Sequence, residues 1–102
     1  MKPVVLYILY ALGARRKHGY AIMRTISQRS NGAIQILPGT LYSTIKRMLA
    51  DGLLQECEAP EASGAADVRR RYYKVTKAGR RAARSEAKKL ELLLKLSRAF
   101  RD

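Results

Sequence analysis

The sequence is poor in the residues from which covalent and metal chemistry is built. One cysteine, Cys57, and one histidine, His18, stand in 102 residues. A single cysteine excludes an internal disulfide framework and a thiolate metal cluster, and a single histidine cannot make a histidine-based metal site unaided. Both fit a reducing cytosol, so the expectation is a cytoplasmic protein with no metal and no cofactor. A Gly-rich phosphate loop is missing, as are paired carboxylates and a serine, histidine and acid set with a histidine to spare. The chain therefore reads as a non-enzyme. Long apolar runs are missing too: Val4 to Leu12 is far shorter than the roughly 20 residues a membrane-spanning helix needs. A single Lys2 and no small-residue cleavage site argue against a signal peptide. No membrane partner is expected.

Acids are the other scarcity. Eight Asp and Glu face 21 Lys and Arg, for a net charge of +13 and a pI near 10.5. Such an excess favours a polyanionic partner, and no aromatic motif of the RNA-reading type accompanies it. The charge is uneven. Residues 69–102 carry 13 bases and 3 acids, a net of +10, whereas residues 1–68 carry 8 bases and 5 acids, a net of +3. Residues 54–68 hold four acids and no base. At 47% hydrophobic, the composition is not that of a disordered chain, and its length suits one domain with a modest core.

The stretch that organises the rest is Pro38 to Leu54, P-G-T-L-Y-S-T-I-K-R-M-L-A-D-G-L-L. Leu41, Ile45, Met48 and Leu49 recur at i, i+4, i+7 and i+8, one apolar stripe of a helix. Ser43, Lys46, Arg47 and Ala50 fall on the other side. Pro38 suits a first helical position and Gly52 a stop. The helix thus has a dry back and a small, polar, cationic front. Such a front fits a DNA major groove, where hydroxyls reach phosphates and Lys or Arg pairs with guanine. It equally describes an ordinary surface helix with two solvated cations.

Ahead of it, Pro3 to Leu12 is apolar nearly all round and ends at Gly13. It reads as a helix covered on more than one side, or as a buried central strand, given its Val, Ile and Tyr. A domain this small covers one side, so a second subunit is expected on the other. Arg15 to Lys17 is a basic turn between two helices, placed either to touch a phosphate or simply to be solvated. His18-Gly19-Tyr20 opens a second helix with Ile22, Met23 and Ile26 as its core stripe, closed by Asn31-Gly32. Ile34 to Ile36 is a candidate short strand. Beyond Gly52, Leu53 to Glu58 and Arg69 to Thr76 read as two strands, joined by an acidic loop, Glu58 to Val68. Alternation puts Arg71, Tyr73 and Val75 on one face and Arg70, Tyr72 and Lys74 on the other. From Lys77 the chain turns helical for about six turns. Its first half is small and basic, its second half leucine-rich. Having nothing of its own to bury against, it points to a subunit partner; the other reading is a helix folded back on its own domain.

Three helices followed by a hairpin is the order of a winged helix-turn-helix. H-G-Y-A-I (His18 to Ile22), P-G-T-L-Y (Pro38 to Tyr42), K-R-M-L-A-D-G-L-L (Lys46 to Leu54) and R-R-Y-Y-K-V-T-K-A-G (Arg70 to Gly79) resemble the PadR-like transcriptional regulators, in order and spacing over nearly the whole chain. The resemblance implies a mainly α fold with a small β-hairpin. Residues 1–76 would form a winged helix-turn-helix DNA-binding domain and 77–102 a long C-terminal dimerisation helix. It further implies a repressor that binds a palindromic operator as a homodimer. Double-stranded DNA would be met by Thr40, Tyr42, Ser43, Lys46 and Arg47 on the third helix and by Arg69, Arg70 and Arg71 at the base of the wing. The expected dimer interface comprises Val5, Tyr7, Leu9, Leu90, Leu93, Leu94 and Phe100. Some relatives hold a small aromatic effector at that interface against a Trp of the last helix. This chain has no Trp, which leaves Tyr7 and Phe100 as candidates. Relatives also carry a Ser or Thr before Pro-Gly-Thr, where this chain has Leu37, so the cap of the third helix should be weaker. The competing reading is a winged-helix adaptor for proteins that never touches DNA.

Overall fold

In the computed structural model, which describes residues 1–61, 63–64 and 69–100, seven elements follow in order. They are α1 (Pro3–Leu12), β1 (Lys17–His18), α2 (Gly19–Arg29), α3 (Pro38–Ala50), β2 (Leu54–Cys57), β3 (Tyr72–Val75) and α4 (Lys77–Ser97), and α4 runs into a single 3-10 turn, Arg98–Phe100. The open question over Pro3 to Leu12 is settled for helix. Its proline stands in the first turn, where a missing N–H costs nothing. Gly13 ends the helix at φ 55 with its N–H on the Leu9 carbonyl.

The core lies where α1, α2 and α3 meet the sheet. Ile8, Leu9 and Leu12 of α1, Ile22 of α2, and Leu41, Ile45 and Met48 of α3 are its most enclosed large side chains, backed by Leu54, Tyr73 and Val75. The apolar stripe of α3 is thus the inner wall of the domain. Cutting any one of its three inner residues to alanine should cost about 2–5 kcal/mol.

The small sheet departs from the expected hairpin. It has three strands in the order β1-β3-β2, all antiparallel. The third strand is Lys17–His18, paired with Tyr73 and Tyr72. Ile34 to Ile36, read as a candidate strand, is irregular chain. Its two isoleucines pack half-buried on the core, and the Ser30 hydroxyl accepts from the Ile34 N–H at 2.9 Å. Asn31 and Gly32, at φ 52 and 80, turn the chain there, so the segment never reaches a sheet edge. Nor does one face of β3 stay wet. Tyr72 and Tyr73 are both buried, because β1 brings His18 against the Tyr72 ring, centroids 5.4 Å apart and edge-on.

Two glycines mark close approaches. A Cβ on Gly79 would overlap the Leu53 carbonyl, so the first turns of α4 lie directly on the chain leaving α3. Thr76 caps α4 through its hydroxyl, which accepts from the Gly79 N–H at 3.0 Å and donates to the Gly52 carbonyl at 2.6 Å. A Cβ on Gly19 would stand 2.6 Å from the Tyr42 ring, so Tyr42 lies on the start of α2.

Candidate nucleic-acid interface

The outer face of α3 presents the residues its periodicity places there. Thr40, Tyr42, Ser43, Lys46 and Arg47 are all exposed, while Leu41, Ile45 and Met48 between them are buried. Two hydroxyls are turned back onto the helix: Ser43 Oγ donates to the Thr40 carbonyl at 3.1 Å and Thr44 Oγ1 to the same oxygen at 2.7 Å. Arg47 Nε lies 3.5 Å from Asp51 Oδ2, one turn on, with both side chains largely in solvent. An exposed pair of this kind is worth about 0–1 kcal/mol, so a phosphate or a guanine can displace the carboxylate. Leu37 stands at the N-cap with no side-chain hydrogen bond to the helix. The first turn of α3 therefore keeps backbone N–H groups without a side-chain partner, as the departure at Leu37 led us to expect.

Beside this face lies a cleft of about 520 Å³ lined by His18, Gly19, Tyr20, Tyr42, Arg70, Arg71 and Tyr73. It joins the start of α2, the third helix and the base of the wing. His18 is the N-cap of α2, its Nδ1 accepting from the Ala21 N–H at 3.1 Å. Arg70 Nη1 sits 3.3 Å from both ring nitrogens of His18, and its guanidinium carbon lies 5.8 Å from the centre of the Tyr20 ring. Arg24 lies 5.3 Å from the same ring. Arg71 Nε is 3.8 Å from Glu56 Oε1 across the sheet. Tyr42, 48% exposed, closes one wall. Tyr20 and Arg24 had no part in the sequence reading of the interface. The available signal was Tyr20 in H-G-Y-A-I, whose register on α2 turns it to solvent beside two cations.

The structure does not bring every expected cation to this surface. Arg15 and Arg16 are exposed, but Lys17 turns inward as part of β1, its Nζ donating to Thr25 Oγ1 at 2.9 Å. Burial, then Arg29 and Arg15 nearby, lowers its pKa. Lys17 is a tether between β1 and α2 rather than a hand for a phosphate. In the acidic loop, Pro60 and Glu61 border a cleft of about 540 Å³ with Arg15 and Arg16. The described start of the wing loop thus faces the basic turn, while residues 62 and 65–68 at its tip lie outside the described residues.

The residues expected at a subunit interface fall into two groups. Leu9 is corrected: at 2% exposure it is part of the core of its own chain and offers nothing to a second copy. At 100° per residue it falls on the side of α1 that meets the rest of the core, whereas Tyr10 lies on the outer side. Val5 and Tyr7 are half-buried. Leu90, Leu93, Leu94 and Phe100 are exposed, Phe100 at 93%. The two aromatic candidates for an effector stand apart in the single chain's described clefts. Tyr7 lines an apolar cleft of about 190 Å³ with Tyr10, Ala11, Ile26, Arg29, Ser30 and Ile34, and Phe100 is not among its walls.

The profile of the transcriptional regulator PadR-like family matches residues 8–85, from α1 through the first turns of α4. The chain belongs to that family. A transcriptional regulator of Mycobacterium tuberculosis is 37% identical over 90 residues, covering 88% of this chain and 78% of its own. A PadR family transcription regulator of Clostridium difficile superposes with a TM-score of 0.80 at 23% identity, covering 99% of this chain and all of that one. Bacillus subtilis PadR, solved in complex with operator DNA, superposes with a TM-score of 0.71 at 16% identity, covering 85% of this chain and 46% of that chain. At such identities the two superpositions establish the fold, a winged helix with a long terminal helix. Among the described residues, no PadR-type element here is long and apolar enough to cross a membrane as a helix.

Proposed function

We propose that this PadR-like regulator binds a palindromic DNA operator as a homodimer and represses transcription from it, with α3 as the reading helix. One observation carries the reading. The outer face of α3 offers Thr40, Tyr42, Ser43, Lys46 and Arg47 to solvent while its inner face is locked into the core. Base readout needs a helix of this kind, rigidly held from behind and small and cationic in front. Lys46 and Arg47 take the base edges. Tyr42, Arg69, Arg70 and Arg71 beside them hold the backbone, a role that positions the protein without reading sequence. Bacillus subtilis PadR, which shares this fold, was solved in complex with operator DNA, and this supports the reading.

The homodimer rests on α4. From Lys88 to Phe100 every residue is exposed in the single chain, five leucines and a phenylalanine among them. Exposed apolar surface of this extent marks an interaction site. A second copy offers the same surface, as two-fold pairing requires.

Selection from a random duplex pool by the pure protein supplies the operator. On it, Lys46→Ala or Arg47→Ala should each cost about 1–3 kcal/mol and relax specificity at one position. If both variants bind the selected site as tightly as the parent, α3 is not the reader. If no duplex is enriched above random sequence at physiological salt, the protein-adaptor reading replaces this one.

A further inference from the structure

A second cationic surface lies on α4. Lys77, Arg81, Arg84 and Lys88 recur at i, i+4, i+7 and i+11, one continuous stripe of a helix, with Arg80 at its edge. All five are exposed, and Lys77, Arg80, Arg81 and Arg84 line one open groove of about 320 Å³. The opposite side of α4 is the one that packs. Gly79 lies on the Leu53 carbonyl, and the Tyr10 hydroxyl donates to the Ala83 carbonyl at 2.9 Å. The leucines Leu90 and Leu94 continue that inner side beyond the domain. The stripe therefore faces away from the core and from Leu90 and Leu94, the leucines that continue the packed side; of the five exposed leucines only Leu92 lies on its side of the helix.

Folding gives no reason for these charges to stand there. Cations in the first turns of a helix oppose its dipole, and the first turn of α4 contains no acid. Lys77–Arg81, Arg80–Arg84 and Arg84–Lys88 are like-charge pairs at i, i+4, an arrangement that destabilises a helix. The ion pair seen within α4 joins Lys89 to Glu86, off the stripe. Among the described residues, none of the five stripe cations has an ion pair. A polyanion would reverse the sign of all these terms. The spacing fits one in particular. At about 1.5 Å per residue, the eleven steps from Lys77 to Lys88 carry five cations over roughly 16 Å, about 4 Å between neighbours, close to the roughly 3.4 Å of duplex axis per phosphate of each strand.

We propose that the Lys77–Lys88 stripe of α4 is a second, sequence-independent binding surface for the phosphate backbone of duplex DNA, separate from the reading helix. It goes beyond the operator reading and does not depend on it. The surface would add affinity for any duplex and hold the regulator on DNA between specific sites.

The test is a variant carrying Lys77→Gln, Arg81→Gln, Arg84→Gln and Lys88→Gln, titrated by fluorescence anisotropy against a random-sequence duplex over a range of salt. Loss of about four phosphate contacts should lower the slope of log affinity on log salt by roughly 3 to 4 and weaken binding at least about tenfold at low salt. The same loss should appear when the four changes are added to Lys46→Ala/Arg47→Ala, so a failure of α3 as reader leaves this result standing. Thermal unfolding without DNA should stay level or rise, since the removed charges oppose the helix. An unchanged slope and affinity in a folded variant would overturn the proposal. So would a variant that keeps duplex affinity but loses binding to vesicles of anionic phospholipid, which would make a membrane surface the partner.

Discussion

At the scale of single residues, two positions lend themselves to tests of stability independent of DNA. Leu37 has the extended backbone of an N-cap, φ −69 and ψ 147, but no oxygen to offer, and it is 75% exposed. Leu37→Ser should supply an acceptor for the orphan N–H groups of α3 and stabilise the fold by about 1 kcal/mol, read as a higher urea midpoint with unchanged slope. A fall in the midpoint would mean that Leu37 contributes packing that its exposure does not reveal. Tyr73 supplies the pH dependence. Burial, then the Glu56 carboxylate, pushes its hydroxyl above the usual value near 10, and burial likewise raises the Cys57 thiol above its usual value near 9. Both groups favour the fold while neutral. The unfolded chain loses these protons first as pH rises, so stability is full below about pH 9 and falls through 9 and then 10 toward the raised native values. Urea midpoints between pH 8 and 11 should show this decline, and Tyr73→Phe should flatten the part above pH 10.

At the scale of elements, α4 divides into two parts. Its first turns are fixed by Gly79 on Leu53, by the Thr76 cap and by Tyr10 on Ala83. Its last turns, from Lys88 to Phe100, are exposed throughout in the single chain. The reading of a helix folded back on its own domain thus describes the first half, and that of a helix reaching for a partner is our proposal for the second. We propose that the leucine-rich half governs assembly, and the test is Leu94→Asp. In a single chain, residue 94 is 63% exposed, so a carboxylate there should not unfold a monomer. In a dimer it would bury an unpaired charge at a cost of several kcal/mol. Light scattering should give twice 11.5 kDa for the parent and a folded monomer for the variant. A parent that is monomeric at micromolar concentration would remove the basis for a two-fold operator. The third helix needed no such correction. Its stripe, its proline start and its glycine stop were legible because one period of 3.6 residues governs both burial and exposure. The third strand was not legible. Lys17-His18 is two residues long, too short for any periodicity, and it becomes a strand only because β3 has a free edge beside it.

At the scale of the whole molecule, charge and symmetry set the expectations. A net of +13 makes long-range attraction to DNA strong and salt-dependent. A two-fold dimer presents two α3 helices, and successive major grooves on one side of a duplex lie about 34 Å apart. The selected operator should therefore be a palindrome with half-sites centred roughly 10 base pairs apart, or a multiple of that. Footprinting on the selected site checks this, and a single unpaired half-site would contradict it.

The sequence alone determined the parts whose physics is local. Pro38 and Gly52 bound the third helix, the stripe from Leu41 to Met48 faces it inward, and the order of elements with four motifs in register names the family. What only the tertiary structure decided are matters of which side chain reaches which neighbour across long stretches of chain. Leu9 belongs to its own core and not to a partner. Lys17 is tied to Thr25 instead of facing a phosphate. Tyr20, Tyr42 and Arg70, far apart in the chain, wall one cleft because Gly19 leaves room for the Tyr42 ring. Periodicity gives a residue's angle on its own helix. It does not say which of the possible neighbours occupies that direction, and this is fixed only when the helices and the sheet pack against one another.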